Sequence, residues 1–163
     1  MISTMTKNIQ IRSDLKILFE HMVSLEETNY KDIFKKINKK YSREEAIECL
    51  ERDHPNGQNI IYIYNSNQLI AYLRFIINGE KIRILALHLR KGKEHTLRKI
   101  MSQVYQKFSN LRFEKIDTDV HKVNNDSLLL HIRLGFQYRK MLKNKVSFTI
   151  SKDSFLKRLE KYQ

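Results

Sequence analysis

The apolar positions in the first third of the chain predict one strand and two helices. Residues 7–12 alternate apolar and polar side chains, which is typical of a half-buried strand. Behind Ser13, apolar residues recur three and four positions apart and predict a helix whose inner face is Leu15, Leu18, Phe19, Met22 and Leu25. A second helix is predicted between Ser42 and His54-Pro55, because Ser42 and Glu45 have the spacing of a capping box and proline disfavours helix before itself.

The middle of the chain has the composition of β-strands. Apolar, β-branched and aromatic residues dominate 60–64, 69–77 and 81–89. Asn78-Gly79 separates the second and third segments and favours a tight hairpin, since both residues tolerate a positive φ. We therefore expect these three strands to form an antiparallel meander.

The last third of the chain mixes helices and strands. A helix is predicted from an apolar stripe formed by Leu97, Ile100, Met101, Val104, Tyr105 and Phe108. A strand over 115–121, a helix over 126–134 and strands within 136–142 and 145–150 follow, and Ser151 can cap a short final helix. This order predicts an α+β (mixed α/β) domain with a central mixed, mostly antiparallel sheet of about seven strands flanked by helices.

Composition limits the class of protein. The hydrophobic content of 41% is ordinary for a globular protein, and residues 1–163 are expected to form one domain. No window approaches the roughly 18 uninterrupted apolar residues of a membrane span, and the first ten residues lack the apolar core of a secretory signal. A cytoplasmic protein with no membrane partner is expected. Cys49 is the only cysteine, which excludes an internal disulfide, and no metal site is predicted.

The net charge of +13 points to anionic partners. Such a field would attract nucleic acid, an anionic membrane or an acidic protein. The basic pairs are scattered along the chain, however, and scattered charge is typical of solvated helix and strand faces. A nucleic-acid partner is therefore an alternative to the preferred interpretation below.

The residues that follow the predicted strand 115–121 carry a family signature. They resemble the pattern V-x-x-x-N-x-x-A-x-x-L-Y-x-x-x-G-F of the Gcn5-related N-acetyltransferase (GNAT) family, at the positions Val120, Asn124, Ser127, Leu130, His131, Gly135 and Phe136. The order of predicted elements is similar as well, so the resemblance covers nearly the whole chain. It implies an N-acetyltransferase that uses acetyl-CoA (coenzyme A) as co-substrate and transfers the acyl group directly to a primary amine.

His131 stands where the family usually carries a tyrosine that protonates the departing thiolate of coenzyme A. The resemblance therefore implies that His131 is the catalytic acid. A histidine with a pKa near 6.5 is mostly neutral at physiological pH, so activity would fall as pH rises through that pKa. The alternative is a buried histidine that is hydrogen-bonded to a backbone carbonyl.

The cofactor loop departs from the family pattern R/Q-x-x-G-x-G/A. One alignment of residues 87–101 puts Gly92, His95 and Leu97 at the signature positions, and a second recovers only Arg90. Lysine and arginine side chains could replace the missing glycines as point charges for phosphates. The cofactor-binding residues implied by the resemblance are Leu87, Leu89, Lys91, Gly92, Lys93, His95, Thr96, Arg98 and Asn124. A solvated basic turn that has lost the cofactor is the alternative.

The general base is the least defined part of the predicted site. The family often uses a glutamate on the central strands, but this chain has none between Ile60 and Asn78. His88 is the best available base, and His121 could equally line the cleft. The developing oxyanion would be bound by a backbone amide near Leu87 or Leu89 in the family's arrangement.

Two functions therefore remain open. The first is transfer to a small-molecule or peptide amine that the sequence does not identify. The second is a catalytically degenerate module of the same fold that binds RNA, the ribosome or an acidic protein. The sequence does not determine the oligomeric state.

Overall fold

A six-stranded sheet with helices on both faces forms the molecule. The computed structural model describes residues 2–92 and 95–163, with side-chain environments from Ser13 onward. The helices are α1 (Ile2–Lys36), α2 (Arg43–Asp53), α3 (Thr96–Ser109), α4 (Asn125–Arg133) and α5 (Lys152–Leu159), followed by a short 3-10 turn (Glu160–Tyr162). The strands are β1 (Ile60–Asn65), β2 (Gln68–Asn78), β3 (Lys81–Leu89), β4 (Lys115–His121), β5 (Gln137–Met141) and β6 (Lys145–Ser151).

The strand order across the sheet is β1-β2-β3-β4-β6-β5. The β3–β4 pair is parallel, whereas the other four neighbouring pairs are antiparallel. The predicted α+β class and the mixed, mostly antiparallel sheet are confirmed. The sheet has six strands among the described residues, where about seven were predicted.

The prediction of a strand over residues 7–12 is wrong, because this segment is part of helix α1. Six residues of alternating polarity are too short a window to separate a strand from a helix. No glycine or proline stands before Pro55, so nothing in the sequence stops the helix from extending through Ser13 toward the N-terminus.

Local capping and turn signals are confirmed. The Ser42 hydroxyl accepts a hydrogen bond from the Glu45 amide at 3.2 Å and starts α2. The Ser151 hydroxyl accepts from the Ser154 amide at 3.3 Å and starts α5. The predicted hairpin between β2 and β3 is present with Gly79 at a φ of 59°, but its two turn residues are Gly79 and Glu80, because Asn78 ends β2 and pairs with Lys81. In each case the residue type satisfies backbone geometry or hydrogen bonding that few other residues satisfy.

Each face of the sheet covers a separate apolar core. Helices α3 and α5 pack on one face, called here the α3 face, where Phe75, Ile82, Phe108 and Phe148 are buried. Helices α1 and α2 cover β2 and β3 on the other face, called here the α1 face. The larger core lies on the α3 face and also receives the apolar side of α4.

Strands β3 and β4 pair over only part of their length. The pairing starts at Lys81 with Lys115 and ends at Ile84 with Thr118, although β3 continues to Leu89. Leu85 is an extra residue at this point, because Arg74 pairs with Ala86 while the next residue of β2 pairs with Ile84. A β-bulge bends its strand and increases the local twist. The bulge at Leu85 therefore coincides with the split between the two central strands.

None of the described helices combines the length and apolar character that crossing a membrane requires.

Candidate functional site

A cavity of about 800 Å³ occupies the split between β3 and β4. Its walls come from the unpaired end of β3, the end of β4, the N-terminal turns of α3 and α4, and the C-terminal half of α1. The cavity therefore connects the two faces of the sheet. This size is within the range of a site for a small molecule or cofactor.

The cavity wall on the α3 face includes α4, which begins within the motif that resembles the GNAT pattern. The Asn124 side chain caps this helix by accepting a hydrogen bond from the Ser127 amide at 3.2 Å. Gly135 follows the helix with a φ of 85°, and a Cβ there would lie 3.1 Å from Nε of Arg158. The motif residues Asn124 and Gly135 thus have clear roles in starting and ending α4.

His131 lines the cavity and is 5% exposed. Its Nδ1 lies 2.7 Å from the Ser127 carbonyl oxygen, so Nδ1 carries the proton and donates it. The ring stacks on Phe148 at a centroid distance of 5.8 Å and meets Phe136 edge-on at 5.1 Å. Burial lowers the pKa of His131, and the hydrogen bond to Ser127 opposes that shift. The ring is therefore neutral at physiological pH, and its Nε2 makes no hydrogen bond to a described residue.

The first turn of α3 has free hydrogen-bonding groups. Its N-cap residue, His95, makes no side-chain cap, and none of the described side chains hydrogen-bonds to the first amides of the helix. Thr96 is 3% exposed, and its buried hydroxyl has no hydrogen-bond partner among the described residues. Gly92, just before the helix, has a φ of 76°, and a Cβ there would meet nothing within 4 Å. The end of the cavity near Thr96 is therefore open and contains hydrogen-bonding groups without a partner among the described residues.

The other predicted cofactor residues fall into three groups. Those that line the cavity are Leu87, Leu89, Lys91, Gly92, Thr96 and Asn124. His95 and Arg98 are not among the lining residues, and the Arg98 guanidinium donates to the Gln163 carbonyl oxygen at 3.2 Å. Lys93 lies outside the described residues. Arg90, which one alignment places at the family's arginine, lines the cavity and donates through Nε to the Leu69 carbonyl oxygen at 3.4 Å.

The wall on the α1 face holds His88, the predicted base. His88 is 4% exposed and lies between the rings of Tyr30 and Tyr72, at centroid distances of 4.8 Å and 5.1 Å. The Asn29 amide nitrogen lies 3.4 Å from Nδ1 and also donates to the Leu89 carbonyl oxygen at 3.0 Å. Burial, assisted by the charge of Arg74, lowers the pKa of His88 to about 3. His88 is neutral, and its Nδ1 lone pair faces an amide donor.

Glu26, which was not predicted from the sequence, lies behind His88 and is not among the residues that line the cavity. Its side chain is 14% exposed, and its carboxylate accepts a hydrogen bond from the Tyr72 hydroxyl at 2.8 Å. The same oxygen, Oε2, lies 3.8 Å from Nε2 of His88. Within the described side chains, no lysine or arginine approaches this carboxylate within ion-pair distance. Glu26 follows Phe19 and Met22 at helical spacing. A carboxylate on this apolar helix face is unusual, and it was the sequence feature that could have identified Glu26.

His121 ends β4 and also lines the cavity. Its Nδ1 is buried without a hydrogen-bond partner among the described residues. Burial and the charges of Lys145 and Lys39 lower the pKa of His121. Nowhere in the described parts of the chain do three or more histidine, cysteine, aspartate or glutamate side chains gather to hold a metal ion.

Comparison with known sequences gives no match, either to a protein-family model or to a curated protein. Solved structures do match. The PaiA N-acetyltransferase from Thermoplasma acidophilum, in complex with coenzyme A, is 17% identical with a TM-score of 0.61, over 85% of this chain and 93% of that chain.

Two further structures of similar proteins support the same assignment of fold. Aminoglycoside 6'-acetyltransferase type Ii is 9% identical with a TM-score of 0.63, over 84% of this chain and 91% of its own. FdhC, a nucleotide-linked sugar GNAT solved in its apo form, is 20% identical with a TM-score of 0.55, over 75% of each chain. At these identities the comparison establishes shared architecture. The chain has the fold of the GNAT acetyltransferases.

Proposed function

We propose that the chain is an acyl-coenzyme A dependent N-acyltransferase that acetylates a primary amine. The observation that carries this proposal is the split between β3 and β4, which begins at the Leu85 bulge and opens a cavity of about 800 Å³ through the sheet. The structural neighbours include acetyltransferases, one of them with coenzyme A bound.

The residues present fit acetyl-CoA at the α3 end of the cavity. The uncapped first turn of α3 and the orphaned Thr96 hydroxyl are donors that a pyrophosphate can use, and the helix dipole favours an anion at this position. Gly92 leaves room for close approach, and Lys91 adds positive charge. These groups would take the place of the two glycine positions of the family loop.

The unpaired edge of β3 fits the arm of the cofactor. Residues 85–88 have no strand partner on the β4 side, so their backbone groups on that side can bind the amides of a pantetheine arm as a strand would, whereas the Leu89 carbonyl oxygen already accepts from Asn29. A backbone amide in the same segment would bind the developing oxyanion. Bound acetyl-CoA supplies the thioester, whose C–S bond breaks as the amine nitrogen forms the new C–N bond, and the proton lost by nitrogen ends on sulfur.

We propose that His131 carries this proton through Nε2. Because Nδ1–H is held by the Ser127 carbonyl and the ring is neutral, Nε2 can accept the proton that the amine nitrogen loses on attack and give it to the leaving thiolate, after the ammonium form of the acceptor has lost its first proton to solvent. A residue that acted only as an acid would have to start protonated, which burial opposes. The shuttle therefore replaces the simple acid role that the family motif implies.

We propose that Glu26, and not His88, interacts with the acceptor amine. Among the described side chains no lysine or arginine lies within ion-pair distance of the buried carboxylate, so an ammonium group that enters from the α1 face would supply the missing charge. The Nδ1 lone pair of His88 faces Asn29 and its pKa is about 3, which make it a poor base. His88 Nε2 lies 3.8 Å from Glu26 without a hydrogen bond, and the ring packs between Tyr30 and Tyr72.

Thermal unfolding with and without acetyl-CoA tests cofactor binding first. Ligand at one hundred times its dissociation constant should stabilise the fold by about 2.7 kcal/mol. Release of free thiol from acetyl-CoA in the presence of a panel of primary amines then tests the transfer. Absence of both the shift and the thiol would overturn the proposal and favour the noncatalytic module.

RNA binding offers a separate test of that alternative. If the basic surface serves RNA, affinity should fall steeply with salt, because each phosphate contact releases counterions. A binding curve that barely changes with salt would argue against a phosphate-driven contact.

A further inference from the structure

Three exposed lysines lie on the α1 side of the cleft, and of these only Lys36 is among the residues that line the cavity. Lys36 lines the cavity from the last turn of α1, Lys39 lies in the connection to α2, and Lys145 begins β6. These residues are called here the lysine rim. Within the described side chains no lysine lies within 4 Å of a carboxylate, because all the ion pairs use arginine or histidine. The rim is therefore uncompensated positive charge.

His121 connects the rim to the interior of the cleft. Lys145 pairs directly with His121 across β4 and β6, and the neighbouring Lys122 amide donates to the Asn144 carbonyl oxygen at 3.0 Å. The strand end and the β5–β6 turn are thus held together. Besides burial, the charges of Lys145 and Lys39 lower the pKa of His121, which lines the cavity. The charges of Lys39 and Lys145, which come from different parts of the chain, therefore both affect His121 in the cavity wall.

Acidic groups near the cleft do not cancel this charge. The Asp119 carboxylate is occupied by Arg83 at 2.7 Å. Asp32 and Asp126 also line the cavity, and neither lies within 4 Å of a described lysine. The Glu26 carboxylate is buried near His88 and Tyr72, whereas the three lysines are exposed. The α1 side of the cleft therefore has a buried negative charge behind His88 and positive charges at the surface.

The phosphates of the cofactor do not account for the rim. The first turn of α3, which offers the anion site for the pyrophosphate, adjoins the α3 face of the sheet. Val146 is buried in the core on that face, and side chains alternate along a strand, so Lys145 points to the opposite, α1 face. The lysine rim is therefore available to a second anionic group.

We propose that the acceptor amine carries an anionic group, phosphate or carboxylate, which the lysine rim binds while the ammonium group lies toward Glu26. This inference rests on the proposed function and adds the substrate class to it. The two charged groups of such an acceptor would match the polarity of the cleft. Charge recognition of this kind contributes mainly to specificity and to the rate of encounter.

Two matched pairs of amines test the proposal and separate phosphate from carboxylate. The pairs are O-phosphoethanolamine with ethanolamine, and 4-aminobutyrate with 4-amino-1-butanol, each assayed with acetyl-CoA by thiol release. We expect the anionic member of at least one pair to have a kcat/KM about tenfold higher, an advantage that shrinks as salt rises. The pair that shows the larger ratio identifies the anionic group.

Variants that remove one lysine charge test whether the preference for the anionic amine comes from the lysine rim. Lys39→Gln and Lys145→Gln should each reduce the anionic preference, the ratio of kcat/KM within a pair, about two- to fivefold. Lys107→Gln is the matched control, because Lys107 is exposed in the last turn of α3, far from the cleft mouth. Equal losses in all three variants would overturn the assignment of the site.

Failure of this inference is distinct from failure of the proposed function. Transfer that is equal for both members of each pair would overturn the anionic acceptor and leave the acyltransferase standing. If neither pair is acetylated, the binding of O-phosphoethanolamine is measured instead, by calorimetry on the protein saturated with coenzyme A. Binding weakened by Lys39→Gln and Lys145→Gln supports the rim, and binding that is absent or unchanged in both variants overturns it.

Discussion

The two walls of the cleft each hold a buried histidine, and the two rings differ in the nitrogen that is left for chemistry. On the α4 wall, Nδ1 of His131 is held by a carbonyl and Nε2 remains for the cavity. On the α1 wall, Nδ1 of His88 faces Asn29 and Nε2 faces Glu26. Both pKa values are lowered by burial. Burial alone therefore does not identify a catalytic histidine, and the hydrogen-bond partner of each nitrogen has to be known.

Replacing the His131 ring should have the largest effect on turnover. We expect His131→Phe to lower kcat about 100-fold, because the phenyl ring keeps the stacking on Phe148 but cannot carry a proton. The dissociation constant of acetyl-CoA, measured by calorimetry, should change little. Unchanged turnover would remove His131 from the mechanism.

The pH profile separates the shuttle from a simple acid at His131. Because burial lowers the pKa of this ring below 6.5, a shuttle that starts neutral should give a kcat that rises with pH through that pKa and then levels off. A kcat that falls over the same range would restore the acid role. Initial rates of thiol release between pH 5 and 8 provide the measurement.

The His88 side of the comparison predicts a dependence of stability on pH. The folded pKa is about 3 and the unfolded pKa about 6.5, so the unfolded chain binds more protons below pH 6.5. The contribution of His88 is complete above that pH and is lost as pH falls, by about 2 kcal/mol at pH 5. Urea unfolding of the native protein and of His88→Gln at pH 7 and pH 5 should show a smaller loss in the variant. Equal losses would contradict a buried neutral ring.

Neutralising Glu26 should affect the acceptor and spare the cofactor. Glu26→Gln keeps an acceptor for the Tyr72 hydroxyl but removes the charge, and we expect kcat/KM for the amine to fall about tenfold. Acetyl-CoA binding should be unchanged. The control is Glu27→Gln, since Glu27 is 47% exposed and pairs with Arg43 on the outer side of α1. A similar loss in the control would show that the effect is not local.

The smallest effect is expected at the α3 end of the cleft. Thr96→Val removes the orphaned hydroxyl and should weaken acetyl-CoA binding about fivefold. The free protein should be as stable as before or more stable, because an unsatisfied buried polar group is lost. Parallel unfolding with and without acetyl-CoA measures both quantities, and an unchanged shift would exclude a contact with the cofactor.

Local signals made most of the fold predictable from the sequence. Asn78-Gly79, Ser42 and Ser151 each act through neighbours only a few residues away, and the structure confirms all three. Residues 7–12 were predicted wrongly, since a short alternating segment has no local feature that distinguishes a strand from a continued helix.

The candidate site was less predictable because it depends on contacts between distant residues. The position of His131 followed from the motif, but its protonation depends on burial against Phe136 and Phe148. Glu26 is separated from His88 by more than sixty positions, and their approach is set by the packing of α1 on the sheet. No turn residue near Leu85 indicates the bulge in the sequence.

The bulge at Leu85 makes the opening in the sheet depend on a single residue. Ile84 and Ala86 already face opposite sides of the sheet, so a chain without Leu85 would keep every later side chain of β3 on its present face. It would lose the bend, and β3 could then continue its ladder with β4 beyond Thr118. Such a deletion would yield a folded protein with a closed sheet and no passage between its two sides.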